Sequence, residues 1–521
     1  MTIEAQAQES DASVRSNQLW MLALLAAAVV ATSLVSFSTA PSGPGISPDG
    51  VVYVDVARHI AAGDGPVAFN AGGETELVTT WPPLFPTLVS IGVVVGADAV
   101  ESARWINAFA FGLLCFLTGV LVRRISGRRE GALLAGWLLA LSPRMLAISG
   151  GVFTEPIFLA LVTGMLLLLL RGGRWSLAGA GLLAGLACMQ RYAGYAFVAG
   201  ASLWLLQTRG EGWRARVTSG ALFAAAATPL PLGWRVAAWL GSSTLDERSA
   251  GFSFPSATHF KAVAHSISTW LLPETWAASV RAMFAVAIVL LMLAGVIYAI
   301  RQRLRPGSAR DIDAGALLLV LCGIAYAGLL AATITFLDPK LQPDPRLMLP
   351  FLPLGIIGLA LALNQLKGNA FKFGVAAGAV LLIASALRAG DVSSGLRDGA
   401  GYTSPRWRNS ATLYAALEQS PDLPVWSNNP QPLILYGKRV ARSLPINSGM
   451  DYTKPEGTPP YKDNTVALEA MYLDGLGGGV IVWFDNSGSP EELGLLIRTL
   501  DLVPKARYED GLLLEERTPR K

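Results

Sequence analysis

The sequence predicts an all-α polytopic membrane protein with a small C-terminal α/β domain. Of the 521 residues, 52% are hydrophobic and only 15% are charged, whereas a soluble globular chain is about a quarter charged. The apolar residues are gathered in runs long enough to cross about 30 Å of hydrocarbon, which takes roughly 20 helical residues. No such run follows residue 388. We therefore predict about eleven transmembrane helices in residues 19–388 and an extracytoplasmic domain in 389–521.

The links between the predicted spans set their orientation. Every link placed in the cytoplasm is basic, such as "RRISGRR" (123–129), as the positive-inside rule requires. Residues 1–18 then form a cytoplasmic tail of a multi-pass protein in the cytoplasmic (inner) membrane. The run 84–96 is too short to cross and is placed as a surface or re-entrant helix. The predicted spans are 19–39, 103–122, 131–148, 154–170, 175–190, 193–207, 216–238, 281–300, 313–336, 347–364 and 372–388.

Three large pieces of the chain are placed on the outer face of the membrane. They are the loops 40–102 and 239–280 and the C-terminal domain 389–521. Turn signals and β-branched or aromatic residues predict short strands in this domain, at "DLPVWSNN", "YGKRVARSLP" and "GGGVIVWFDN". Amphipathic helices are expected at 408–419 and 490–500. The domain is therefore predicted to be a small α/β cap.

Composition argues against several other classes of function. The net charge is only +4, so no nucleic-acid partner is indicated. Cys115, Cys188 and Cys322 each lie in an apolar run, and no disulfide framework or metal-ligand spacing is present. No cofactor is firmly implied, and a requirement for a divalent metal stays open because no ligand cluster is seen.

The segment "ISPDGVVYVDVARHI" (46–60) carries an acid, Asp49, at the predicted start of a helix in the first outer loop. Ser47 and Pro48 are typical of an N-cap and a first helical position. Asp49 then lies in the first turn, where the helix dipole favours its ionised form. Tyr53 falls one turn later on the same face. Asp49 is either a helix-start carboxylate or a reactive one.

A second acid in this segment, Asp55, has partners of its own. Arg58 and His59 follow it at i+3 and i+4, which predicts a local ion pair. Six residues turn a helix by about 600°, so Asp55 points away from Asp49. Asp55 is predicted to be part of the scaffold.

Charged residues at the outer ends of spans are informative, because charges at membrane depth are costly and usually face a cavity. Glu155 stands at such an end, Arg191 between two spans, and Arg346 just before a span. Each could equally be an interfacial residue whose charge reaches water, but together they would suit an anionic substrate. The other charged residues placed on this face are Glu74, Glu76, Arg104, Arg144, Asp246, Glu247, Arg248, Asp338, Lys340 and Asp344.

An ordered set of segments resembles the membrane glycosyltransferases of the GT-C fold. The nearest branch holds the protein O-mannosyltransferases and the aminoarabinose transferase of lipid A (family 39-like). The resemblance covers about residues 17–390. The matching segments are "SPDGVVYVDVARHIAAGDG", "WPPLFPTLVSIGVVVG", "ARWINAFAFGLL", "LSPRMLAISGGVFTEPIFLAL", "GLLAGLACMQRYAGY" and "DPRLMLPFLPLGII".

The resemblance implies a hexosyl- or pentosyltransferase that takes a sugar from a polyprenyl-phosphate donor on the outer face. The acceptor would be a lipid, a glycan or a protein. Asp49 matches the family's general base, and Arg346 a basic position that holds the donor phosphate. Two features depart from the family's pattern. Gly50 stands where many relatives have a second acidic residue, and Trp81 stands where several relatives have a basic residue before the Pro-Pro pair. The candidate substrate-binding residues are Tyr53, Arg58, Trp81, Glu155, Arg191, Tyr192, Asp338 and Arg346.

Two other classes of function were weighed. A transporter or flippase of lipid-linked saccharides would have inverted repeats with broken helices, and no corresponding halves are visible in the sequence. A membrane anchor that displays a binding domain would not need so many spans. The transporter is the stronger alternative.

Overall fold

We describe the protein from a computed structural model, which covers residues 3–70, 73–207, 212–241, 251–304, 311–419, 423–444 and 479–516. The charged residues Asp246, Glu247 and Arg248 of the second predicted loop lie outside these ranges.

Helices dominate the chain up to residue 397. They are α1 Ile3–Thr39, α2 Pro48–Ala62, α3 Leu84–Val94, α4 Ala99–Ser126, α5 Arg129–Ala140, α6 Pro143–Ser149, α7 Glu155–Arg171, α8 Arg174–Gln190, α9 Gly194–Leu206, α10 Trp213–Ala227, α11 Pro229–Gly241, α12 Ala257–Ser268, α13 Ala278–Leu304, α14 Asp311–Ala332, α15 Phe351–Leu363 and α16 Gly368–Arg397. A π-helical turn, Thr333–Leu337, extends α14.

By length and apolar composition, four of the described helices could cross a membrane, or five if the bent pair α5 and α6 is one span. Several other predicted spans form shorter helices, such as α7 and α8 with 17 residues each. A 17-residue helix is about 26 Å long, at the lower limit for crossing the hydrocarbon. The protein is membrane-embedded, while the count of eleven spans stays a prediction.

Prolines divide two runs that the sequence predicts as single spans. The run 131–148 bends by 52° between α5 and α6, and Pro143 is the first residue of α6. The run 216–238 is divided between α10 and α11, where Pro229 begins the second helix. A proline lacks the N–H that would continue the helical ladder and disfavours the α conformation in the residue before it.

The predicted helix start at Pro48 is confirmed. Ser47 is the N-cap, and its hydroxyl accepts a hydrogen bond of 3.2 Å from the Gly50 N–H. The run 84–96 forms α3, an 11-residue helix, so a short helix is present where one was expected. Between α2 and α3, a two-stranded hairpin that the sequence did not predict pairs β1 Val67–Phe69 with β2 Thr75–Leu77.

The C-terminal region contains a mixed five-stranded sheet in the order β4-β3-β5-β7-β6. The three predicted strands are confirmed as β3 Val425–Ser427, β4 Arg442–Ser443 and β5 Val480–Phe484, and the antiparallel hairpin β6 Leu502–Tyr508 and β7 Gly511–Glu516 was missed. The predicted helices are also present. The helices of this region are α17 Pro405–Arg408, α18 Ala411–Leu417, α19 Gln431–Gly437 and α20 Pro490–Thr499.

One hydrophobic core joins the first loop to the C-terminal region. It contains Ile46 from the segment before α2, Tyr53 from α2, Phe85 from α3, and Trp407 and Leu433 from the C-terminal region. A separate, larger core holds the long helices together. The position of α2 is therefore determined from both sides, by the helix bundle and by the sheet region.

The predicted ion pair of Asp55 with Arg58 and His59 is wrong. Asp55 is buried and its Oδ2 accepts a hydrogen bond of 3.3 Å from Phe69 N, while burial raises its pKa. His59 pairs with Asp64 at 2.9 Å. The scaffold role of Asp55 stands, but its partner is the backbone of β1, which the sequence did not reveal.

A candidate active site between the first loop and two helix ends

Arg346 joins two carboxylates that lie far apart in the sequence. Its Nη1 donates to Asp49 Oδ2 at 2.9 Å, and its Nε donates to Glu155 Oε1 at 2.9 Å. The loop before α15 presents this guanidinium, because Asp344 Oδ1 accepts hydrogen bonds from Arg346 N and Leu347 N. The fork of an arginine side chain suits such a double contact. Burial alone would lower the pKa of Arg346, but Glu155 and Asp49 outweigh it and raise that pKa, so the cation is permanent.

Glu155 is the buried centre of the cluster. Its side chain is only 1% exposed, and its Oε1 also accepts a hydrogen bond of 2.6 Å from Arg191 Nη1. Arg191 donates from the same nitrogen to Thr154 Oγ1 at 3.0 Å. A carboxylate in such surroundings is stable only when it is paired, and here it has two guanidinium partners. Glu155 and Arg191 therefore hold the guanidinium of Arg346 in a fixed position.

Asp49 is the accessible member of the cluster. Its side chain is 32% exposed, compared with 1% for Glu155. Among the described residues, no hydrogen bond reaches its second oxygen, Oδ1. The formal charges of the cluster sum to zero, since it contains two carboxylates, Asp49 and Glu155, and two guanidinium groups. The buried charges are therefore balanced, and Oδ1 of Asp49 is open to a ligand.

An aromatic wall stands next to Asp49. The ring of Tyr53 meets the edge of Trp81 at 5.9 Å and of Phe85 at 5.5 Å between centroids. Burial, and then the charge of Asp49, raise the pKa of Tyr53, so its phenol stays protonated. Tyr192 supports this wall, since its hydroxyl donates to Thr79 O at 2.7 Å.

The other predicted site residues lie differently. Arg58 does not join the cluster, because its guanidinium donates to the carbonyls of Ile434 and Leu435 at 3.3 and 3.1 Å. These carbonyls belong to the last turn of α19, where a cation is favoured. Among the described contacts, the side chain of Asp338 accepts only from Lys340 N, within its own turn. Arg58 is thus a link to the C-terminal region, and Asp338 is the cap of a local turn.

Several site residues were missed at the sequence level. Gln190 is buried, and its Nε2 donates to Thr154 O at 3.0 Å. Phe153 lies under the Arg346 guanidinium at 4.4 Å from its centroid. Each lies within two residues of a predicted residue, so a polar or aromatic side chain close to a charged span end was the available signal. The described residues contain no group of three His, Cys, Asp or Glu side chains that could hold a metal.

Replacing Glu155 with glutamine is expected to destabilise the protein. The substitution preserves shape but leaves Arg191 and Arg346 without their buried counter-ion, which costs about 3–5 kcal/mol. A clearly lower midpoint of thermal unfolding in detergent would show this. Glu101→Gln is the matched control, because Glu101 also pairs with an arginine at 2.8 Å but is 48% exposed, and exposed pairs contribute at most about 1 kcal/mol. Equal, small shifts in the two variants would contradict the expectation.

Comparison with known proteins finds similarity to solved structures but not to known sequences. No protein-family model matches the chain, and no significant match was found among curated proteins. The structure of ArnT from Cupriavidus metallidurans bound to undecaprenyl phosphate aligns with a TM-score of 0.64 at 15% identity, over 95% of this chain and 98% of that one. The apo structure of the same protein aligns with a TM-score of 0.54.

The chain has the GT-C fold. A second neighbour, the archaeal oligosaccharyltransferase AglB from Archaeoglobus fulgidus in complex with an inhibitory peptide and a dolichol-phosphate, aligns with a TM-score of 0.53 at 13% identity, over 83% of this chain and 65% of that one. The predicted fold class is thereby confirmed. At these identities, the likeness concerns the GT-C fold and not the reaction.

Proposed function

We propose that this GT-C protein is a glycosyltransferase that moves a sugar from a polyprenyl-phosphate donor to an acceptor hydroxyl on the outer face of the membrane. The observation that carries the proposal is the contact of Arg346 with both Asp49 and Glu155. It combines a permanent cation, suited to a phosphate, with an accessible carboxylate, suited to a proton. The structural neighbours with undecaprenyl phosphate and dolichol-phosphate support a donor of this class.

The reaction needs one bond to form and one to break. The acceptor oxygen attacks the anomeric carbon of the sugar, while the bond from that carbon to the phosphate oxygen breaks. The electron pair leaves with the polyprenyl phosphate, whose charge the guanidinium of Arg346 would stabilise. The acceptor proton passes to Asp49, whose Oδ1 is open to receive it. Arg191 and Glu155 hold Arg346 in place, and the wall of Tyr53 and Trp81 offers apolar and aromatic surface to a sugar ring.

The experiment that tests the proposal uses the full-length protein in proteoliposomes with polyprenyl-phosphate-linked sugars that carry a radioactive label. A transferase releases polyprenyl phosphate and moves the label to a lipid, glycan or protein acceptor. A flippase moves the label across the bilayer while it stays on the carrier. Translocation without transfer, or neither process with any of a panel of hexosyl and pentosyl donors, would contradict the proposal. The same panel would identify the sugar.

A further inference from the structure

The segment that leads into α2 lies between two other pieces of backbone. Residues 43–47 precede Asp49, and on one side of them runs the segment 150–153, which leads to Glu155. On the other side runs the segment 399–403, which joins α16 to the C-terminal region. Isolated bridges pair Gly45 with Gly151 and Ile46 with Gly401. Three distant parts of the chain therefore meet just before the candidate base.

On its first side, this junction connects the segment that leads to Asp49 with the segment that leads to Glu155. Gly45 N donates to Gly150 O at 2.9 Å, and Val152 N donates to Gly45 O at 2.9 Å. The buried side chain of Asn107 holds the segment 150–153 in place, since its Nδ2 donates to Gly151 O at 2.7 Å and to Phe153 O at 2.9 Å. The backbone leading to Asp49 is thus in register with the backbone leading to Glu155.

The second side connects the junction to the C-terminal region. Ile46 N donates to Ala400 O at 3.1 Å, and Tyr402 N donates to Ile46 O at 2.8 Å. The buried hydroxyl of Thr403 lies 2.9 Å from both Pro44 O and Ala400 O, so its one proton is shared between these two carbonyls. These bonds act on Ile46, which directly precedes Ser47, the N-cap of α2, and on Pro44.

Only glycine fits at the centre of this side. Gly401 has a φ of +59°, and a Cβ built on it would lie 2.0 Å from Ile46 O. This oxygen accepts the Tyr402 N–H at 2.8 Å, so moving it away from the added carbon would break that hydrogen bond. A side chain at residue 401 would therefore push the chain at Ile46 out of its present place.

We propose that Gly401 and Thr403 are positioning residues for the reaction: they hold the chain at Ile46 where the Asp49 carboxylate meets Arg346. The C-terminal region would then serve the chemistry through the backbone and not only as a cover over the site. A general base must come within hydrogen-bond reach of the proton that it removes, and a misplacement of about 1 Å can cost about 100-fold in rate. The inference rests on the proposed function, because it takes Asp49 as the base.

The first test compares two substitutions of glycine by alanine. Gly401→Ala is expected to lower kcat for sugar transfer by at least about 10-fold, with KM for the donor little changed, because Arg346 and Arg191 keep their places. Gly63→Ala is the matched control: Gly63 ends the same helix α2 with a φ of +96°, but a Cβ there meets nothing within 4 Å. The control introduces a similar backbone strain at the far end of the helix, where it does not displace Asp49. Its kcat should therefore stay within about twofold of the wild type.

The second test keeps the proposal falsifiable if Gly401→Ala fails to fold. Thr403→Val removes the hydroxyl that binds the carbonyls of Pro44 and Ala400, and Thr403→Ser keeps it. We expect kcat to fall in the valine variant and to stay near the wild-type value in the serine variant, while the unfolding midpoints in detergent show that both variants are fully folded at the assay temperature. Two results would overturn the proposal: wild-type kcat in Thr403→Val, or equal loss of kcat in both variants. If Asp49→Asn is inactive while Thr403→Val is fully active, the positioning role of Thr403 is refuted and the assignment of Asp49 as general base stands. An active Asp49→Asn variant would refute the assignment of Asp49 itself.

Discussion

Asp49→Asn is expected to lower kcat for sugar transfer by about 10²- to 10⁴-fold, the contribution usual for a general base. The asparagine amide has the same shape and can still accept a hydrogen bond from Arg346, so the cluster should stay assembled. It cannot take up the acceptor proton. The unfolding midpoint and the KM for the donor should therefore stay near their wild-type values, while the rate of transfer in proteoliposomes falls.

The control for this substitution is Asp64→Asn. Asp64 lies just beyond the other end of α2 and is 55% exposed, with His59 as its partner. It also loses one negative charge on substitution but has no contact with the cluster, so its transfer rate should be unchanged. Normal turnover in Asp49→Asn would remove Asp49 from the mechanism, whatever the behaviour of the control.

Arg346→Lys is expected to weaken use of the donor, although the charge is conserved. A lysine ammonium is a single point of charge and cannot reach Asp49 and Glu155 with the two-pronged geometry of the guanidinium. The loss of one charged hydrogen bond costs about 1.5–3 kcal/mol, which corresponds to roughly 10- to 100-fold in kcat/KM. Steady-state kinetics with varied donor concentration would measure it, and KM for the donor should rise.

Arg388→Lys provides the comparison for Arg346→Lys. Arg388 pairs with the exposed Asp391 at 2.7 Å and is about as accessible as Arg346, at 26% compared with 23%, but it does not contact the cluster. Its substitution should leave the kinetics unchanged. A fall of kcat alone in Arg346→Lys, with the same KM for the donor, would contradict a phosphate contact in the ground state.

Local patterns predicted those features that depend on neighbouring residues. The N-cap Ser47 and the proline after it were enough to place the start of α2. The uninterrupted run of β-branched and aromatic residues in "GGGVIVWFDN" predicted β5, in which all five residues are buried. Glu155, Arg191 and Arg346 were each recognised as candidate site residues, because a charge at membrane depth is costly and usually faces a cavity. Each of these inferences needed only a short window of sequence.

Long-range contacts explain the misses. Arg58 was assigned to Asp55 and to the substrate, but it reaches instead the carbonyls in the last turn of α19, some 376 residues away. The hairpin β6–β7 was missed although it supplies two of the five strands. Its first strand is exposed along much of its length, which weakens the alternation by which strands are recognised.

The sequence by itself determined that the chain is membrane-embedded and helical, where α2 starts, and which charged residues stand at the ends of the apolar runs. These properties follow from hydrophobicity, capping and the cost of charge in hydrocarbon, all of which act over a few residues. Only the tertiary structure decided that Asp49, Glu155, Arg191 and Arg346 meet. Asp49 and Arg346 are 297 residues apart, and no local preference can specify a contact that depends on how helices and the C-terminal region pack around them.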